Sequence, residues 1–326
     1  MTKYIIKRVL YSILILFLVS MIIYFVMRLL PNDFVTLKFQ SKLNDGVISP
    51  EEFQHLRELY GLADNSFLGI LKGYFGWLGG ALSGDLGMSF KNQLPVGEVI
   101  FEHMWVSFGL SMTAFILQFI IAIPLGIRAA TKQYGAFDYA TTVFTMIGIS
   151  LPSFFLAYIL TSVFSIQLGW FPYTGLNEAK GSAGFWDSLY HLILPMITVV
   201  IGSIGGLMRH TRTNTLEILN QDFIRTARAK GLSEHKVVYK HVFRNTMVPI
   251  VTMTAGLIPT LFGGMMILET VFNIPGIGQV TYSAMQEGDI PLVMGYNMFI
   301  AILAVLGTLL SDITYMLVDP RIKINK

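Results

Sequence analysis

Apolar residues run in long blocks along this chain, and the spacing of those blocks predicts its main elements. A bilayer hydrocarbon core about 30 Å thick takes about 20 helical residues at 1.5 Å each. Blocks of that length lie near 5–29, 105–127, 139–166, 190–208, 249–270 and 292–317. The pattern predicts an all-α polytopic membrane protein with six transmembrane helices. The first block follows Lys3, Lys7 and Arg8, as the core of a secretory leader does. However, its run from Val9 to Met27 exceeds a leader core of about 7–15 residues, and no small-x-small cleavage site follows, so it reads as a retained anchor. Residues 66–82 are also apolar, but Lys72 sits mid-run and Gly69, Gly73, Gly76, Gly79 and Gly80 weaken a lipid-exposed helix. That stretch is expected to be an interfacial or packed segment.

Two polar segments are too patterned to be plain connections. In residues 31–103, Ser49-Pro50-Glu51-Glu52 has the form of a capping box, with Ser49 as N-cap, Pro50 at N1 and Glu52 reaching back. Phe53, Leu56 and Tyr60 share one face of the helix that follows, and Gly61 ends it. A small cap is expected, serving either to pack on the bundle or to dock an external partner. In residues 209–248, Asn220 or Asp222 caps a short helix through Phe223, Ile224, Ala227 and Lys230. Gly231 breaks it, Ser233 caps a second helix, and Val237, Val238, His241 and Val242 give that one an apolar stripe. Such a pair makes a protruding knob. A basic loop held at anionic headgroups is one reading. A docking surface for a rigid partner is the other, and it alone accounts for the break, the cap and the stripe together.

Charge then orients the spans. Lys3, Lys7, Arg8, Arg128, Lys132 and the basic residues from Arg209 to Arg244 fall on one side, with Arg321, Lys323 and Lys326. Acidic residues such as Asp33, Glu51, Glu52, Asp85, Glu98, Glu102 and Asp289 gather on the other. The positive-inside rule places both termini in the cytoplasm. The chain therefore divides into an N-terminal transmembrane helix (1–30), an extracellular cap (31–103), a five-helix core (104–318) containing the 209–248 loop, and a short cytoplasmic tail (319–326).

Composition narrows the chemistry. Of 326 residues, 53% are hydrophobic and 13% charged, about half the charge of a typical soluble domain, where roughly 25% is usual. A net charge of +3 is too small to mark a nucleic-acid binder. The absence of cysteine excludes disulfides, thiolate metal sites and cysteine nucleophiles. No G-x-x-x-x-G-K-[ST] loop for ATP and no H-E-x-x-H metal motif occurs, and the six histidines are scattered. No catalytic constellation or metal set stands out, so energy must come from a gradient or another subunit. Within the spans, Glu269 and Asp312 lack an evident basic partner and read as helix-ending or packing residues. Gln118 and Asn297 are interhelix hydrogen-bonders or pathway-lining residues. Gly202 and Gly206 form a G-x-x-x-G suited to close helix packing, and Pro124, Pro152, Pro195 and Pro259 kink or interrupt spans.

The run Phe223-Ile224-Arg225-Thr226-Ala227-Arg228-Ala229-Lys230-Gly231-Leu232, followed by His241 and Arg244-Asn245, resembles the cytoplasmic loop of permease subunits in ABC importers of the oligopeptide/dipeptide/nickel group. Ile6-Lys7-Arg8-Val9-Leu10, Gly84-Asp85-Leu86-Gly87-Met88-Ser89 and Asp319-Pro320-Arg321 agree with it, and the long segment between the first two spans is typical of the first of the two paired permeases. The resemblance implies a type I importer fold. It also implies an assembly: a second homologous permease, two cytosolic ABC ATPases, an extracellular peptide-binding protein and the surrounding lipid, with no nucleic acid. ATP and Mg would be used by the ATPases and no cofactor held by this chain. By matching position, Thr226, Ala227, Ala229 and Gly231 would shape the coupling knob, with Arg225, Arg228, Lys230, His241 and Arg244 on the ATPase side. Asp85 and Gly87 would belong to the cap and its docking of the binding protein. Where the wider importer family opens this motif with Glu-Ala-Ala, Arg225 stands here, which weakens any ion pair borrowed from that Glu. A nickel importer and a gradient-driven secondary transporter are the competing readings.

Overall fold

The computed structural model describes residues 2–30, 33–176, 184–254 and 257–318. The tail motif Asp319-Pro320-Arg321 and the side chain of Asp312 lie outside the described residues. Among the described residues the protein is helical. In order these helices are α1 (Thr2–Leu29), α2 (Phe34–Asn44), α3 (Pro50–Leu59), α4 (Phe67–Leu82), α5 (Val96–Thr131), α6 (Ala136–Ser150), α7 (Ser153–Leu160), α8 (Phe185–His191), α9 (Ile193–Leu219), α10 (Asp222–Ala229), α11 (Glu234–Lys236), α12 (Phe243–Thr254), α13 (Ile258–Phe262), α14 (Met266–Val271), α15 (Ile277–Gln286) and α16 (Ile290–Val318).

Four helices, α1, α5, α9 and α16, contain stretches long and apolar enough to cross a membrane. The block expected as one span over 139–166, kinked or interrupted at Pro152, is α6 followed by α7 and its π-helical continuation Thr161–Gln167, bent by 104°. Pro152 explains the bend. It lacks an N–H to continue the ladder, and it pushes Leu151 out of the helical region to φ −84°, ψ 127°. Counting that pair as one span gives five. The block at 249–270 is a series of short helices, α12 to α14, with Pro249 inside α12 and Gly264 at φ +76° before α14.

The chain forms two compact units. One comprises Met1–Ser107, Phe262–Met266 and Pro275–Val305. In it α4 is a packed segment: Ile70 and Tyr74 are buried among Tyr24, Phe34, Val35 and Phe53, and the Tyr74 hydroxyl lies 2.9 Å from Ser20 Oγ. The capping box of α3 is formed in both directions, Ser49 N to Glu52 Oε2 at 2.8 Å and Glu52 N to Ser49 Oγ at 3.1 Å. Gly61 follows α3 at φ +66°, and buried Arg28 of α1 donates to the carbonyls of Gly61 and Asp64. The segment after α3 is thus fastened to α1 by a buried cation that takes two of its carbonyls. The Gly84–Ser89 motif is fastened as well. Buried Asp289 accepts from Ser89 Oγ at 2.6 Å and Lys91 N at 3.0 Å.

The second unit comprises Phe108–Leu261, Ile267–Ile274 and Leu306–Lys326. Its centre is the packing of α5 and α6 on α9, with Ala122, Ala129, Val200, Ile204 and Met208 buried together. The close crossing uses Gly148 and Gly205. A Cβ on Gly148 would stand 2.6 Å from the Ile201 carbonyl oxygen, and one on Gly205 would stand 2.8 Å from that of Thr145. This corrects the expectation for Gly202 and Gly206, where an added Cβ would meet no other group of the described chain within 4 Å. The G-x-x-x-G spacing identifies a small-residue face, but the α6 crossing falls on the neighbouring face of α9.

Candidate functional site

The loop after α9 is built as two arms around one glycine. α10 has only eight residues, too few to be stable alone in water. It stands because Ile224 and Ala227 turn inward onto Val237 and Val242, with Ile218, Leu219 and Leu232 packed around them. Ile224 is fully buried, a burial worth about 1.5–3 kcal/mol. Its N-cap position is held by Gln221 without a side-chain cap bond, rather than by Asn220 or Asp222. Asn220 instead donates to Leu216 O, and Asp222 is the first helical residue. At the other end Lys230 N donates to Thr226 O and Gly231 N to Arg228 O, while Gly231 takes φ +74°. A left-handed residue closing a helix in this way is the role glycine fills at least cost.

The second arm starts at Ser233, which occupies the N-cap position without a side-chain cap bond. It runs through α11, a π-helical segment Val237–Val242 and α12. The π segment accounts for the burial pattern. Residues five apart diverge on an α-helix, whereas an i→i+5 register brings Val237 and Val242 to one face. Val238 and His241, expected in the same stripe, are only partly buried.

These arms bring Arg225, Thr226, Arg228, Ala229, Lys230 and Gly231 to an exposed tip, with Ala227 as the inward anchor. Thr226 Oγ1 is tied to Asp222 O at 3.0 Å. Arg225 lies 3.6 Å from Asp222, a pair so exposed that it leaves the guanidinium available. Arg228 is different. Its Nε and Nη2 fork onto Glu234 Oε1 and Oε2 at 2.8 and 3.2 Å, clasping the two arms across Gly231. Arg228 is therefore a positioning residue of the turn. Glu234, which receives this fork, is a residue that the motif alone does not flag. Arg244 is exposed on α12 and His241 is half-buried. Exposed forks of this kind contribute about 0.2–1 kcal/mol. A double-mutant cycle of Arg228→Gln and Glu234→Gln, read by thermal unfolding of the purified chain, should give a coupling energy in that range.

The remaining candidates have local partners. Gln118 Nε2 donates to Ser203 O of α9 at 2.9 Å, an interhelix bond. Asn297 Nδ2 donates to Val293 O on its own helix. Asp85 Oδ1 accepts from Gly87 N, with Gly87 at φ +88°. Glu269 is fully buried in α14.

Residues 122–324 match the family described as binding-protein-dependent transport system inner membrane component, and residues 1–113 match its N-terminal companion. The chain belongs to that family. It is an ABC-importer permease, a multi-pass protein of the cell membrane. Its relatives include the oligopeptide transport system permease protein AppB of Bacillus subtilis (strain 168), 37% identical over 324 residues, 99% of this chain and 100% of the relative. The dipeptide transport system permease protein DppB of the same organism is 31% identical over 327 residues, 100% of this chain and 99% of its own length. A putative peptide transport system permease protein of Brucella abortus (strain 2308) is 35% identical over 323 residues, 99% of each chain. Among solved structures, the inward-facing MetNI methionine ABC transporter superposes with a TM-score of 0.54 at 18% identity, over 68% of this chain and 96% of that one. At that identity the likeness speaks to fold. It agrees with the expected type I importer permease architecture.

Proposed function

We propose that this permease forms half of the translocation path of an ATP-driven importer of oligopeptides or dipeptides. The observation that carries the reading is the end-to-end similarity to permeases named for those substrates. With both termini in the cytoplasm, and the shorter apolar helices over Ile258–Val271 counted as a sixth crossing beside the five, the Gly231 tip would fall on the ATPase side. The partners are a second permease, two ATPases that use ATP and Mg, and an external peptide-binding protein meeting the cap near Asp85 and Gly87.

The knob works as a lever. ATP closes the two ATPases, and each carries its docked tip inward. A tip with its own apolar interior, closed by the Arg228–Glu234 clasp, moves as a body. The second arm is helical from Glu234 to Thr254, so the displacement passes along it into the chain beyond. Transport follows only because the ATPases bind the two permease states unequally. Arg225, Lys230 and Arg244 supply exposed positive charge for that contact.

Reconstitution of the co-purified complex in vesicles tests the reading. Peptide accumulation should require ATP and persist when the proton gradient is collapsed. Uptake that survives ATP depletion and stops with an uncoupler would establish gradient coupling instead. Accumulation of nickel but not peptide would assign the other substrate class.

A further inference from the structure

A groove of about 630 Å³ lies beside the knob, between the end of α5 and the second arm. Its walls are apolar: Ile123 and Ile127 from α5, Val238 and Phe243 from the opposite side. Its rim is basic. Arg128 and Lys132 stand where the apolar run of α5 ends, and among the described residues neither has a carboxylate partner. Arg128 rests over the Phe137 ring at 4.6 Å, which fixes its position without neutralising it. Among the described residues lining the groove the one acid, Glu234, is already paired with Arg228. His235 and Tyr239 complete that side, their ring centroids 4.6 Å apart and the planes tilted by 34°.

We propose that this groove is a binding site for an anionic glycerophospholipid. The phosphate sits between Arg128 and Lys132, and an acyl chain lies along the Ile127–Phe243 walls. Two observations favour a lipid over a protein segment. The charged rim stands at the end of a membrane-crossing helix, where headgroups are found, and basic pockets between helices at that depth suit phosphate headgroups. The apolar walls continue from that rim into the span, as an acyl chain requires. Because Val238 and Glu234 belong to the second arm, a lipid wedged here touches both α5 and the lever. It would then set the stiffness of the knob according to membrane composition.

The inference is tested by binding, and so stands apart from the transport reading. Native mass spectrometry of the full-length chain, with whatever subunits accompany it, compares phosphatidylglycerol with phosphatidylcholine of matched chains. Retention should favour phosphatidylglycerol. Arg128→Gln/Lys132→Gln should weaken that preference about twenty-five-fold, at roughly a fivefold loss per cation. Equal retention of the two lipids, or a preference unchanged in the double variant, overturns the proposal. A photoreactive residue at Tyr239 tests it with the rim charges intact. Adducts on phospholipid support the site, and adducts only on protein assign the groove to a subunit contact.

Discussion

Gly231→Val should uncouple the transporter: ATP hydrolysis continues, while peptide accumulated per ATP falls about tenfold or more. The cause lies in the backbone alone. Gly231 sits at φ +74°, and nothing within 4 Å would meet a Cβ there. A Cβ would therefore meet no neighbouring group of the chain, and the penalty is the side chain's conflict with its own backbone. A β-branched residue in that region costs about 1–3 kcal/mol, enough to shift the population away from the native turn. The tip would then present Arg225 and Lys230 at a different angle from the arm that carries the motion. Gly231→Asn is the control, because Asn tolerates the left-handed region better than other side chains. It should retain most uptake. Equal loss in both variants would mean that the side chain disturbs the docked partner rather than the turn. Full coupling in Gly231→Val would remove the lever from the mechanism.

The sequence makes some parts of this molecule legible and hides others, for physical reasons. Local chemistry reads well. Ser49 and Glu52 are three residues apart, and their capping box needs only the helix that they start. The turn at Gly231 is likewise set by a few neighbouring residues. Features that depend on the path of the chain do not read in the same way. Apolar length predicts a span at 139–166 and Pro152 a kink within it, but neither sets how far the chain turns, which is 104°. Gly202 and Gly206 carry the recognisable spacing, yet the crossing with α6 falls on Gly205. A helix with small residues on adjacent faces does not declare which face its neighbour takes. The Ser89–Asp289 bond joins residues 200 positions apart, and neither position shows a pattern pointing to the other. At the site itself, the arginines read from the motif as a uniform basic surface. The fold separates them: Arg228 is spent on Glu234 while Arg225 and Lys230 remain outward.

Asp138→Ala should strongly destabilise the second unit, costing about 3–5 kcal/mol. Asp138 is 3% exposed at the start of α6. It takes both prongs of the Arg212 fork, Nε to Oδ1 and Nη2 to Oδ2, each at 2.7 Å. Its Oδ2 also accepts from Tyr134 N, where the backbone has the left-handed φ of +63°. One carboxylate therefore neutralises a largely buried cation from α9 and holds a strained turn in place. Removing it leaves the guanidinium with no opposite charge, and that penalty exceeds anything the pair contributed while intact. The distinguishing variant is Asp138→Ala/Arg212→Met. With both charges gone, the apolar replacement should recover most of the lost stability, leaving a deficit of about 1 kcal/mol from the freed Tyr134 amide. Thermal unfolding of the three purified proteins in one detergent reads the difference. If the double variant unfolds no later than Asp138→Ala alone, charge compensation is not what Asp138 provides, and its bond to Tyr134 N carries the joint between α5 and α6.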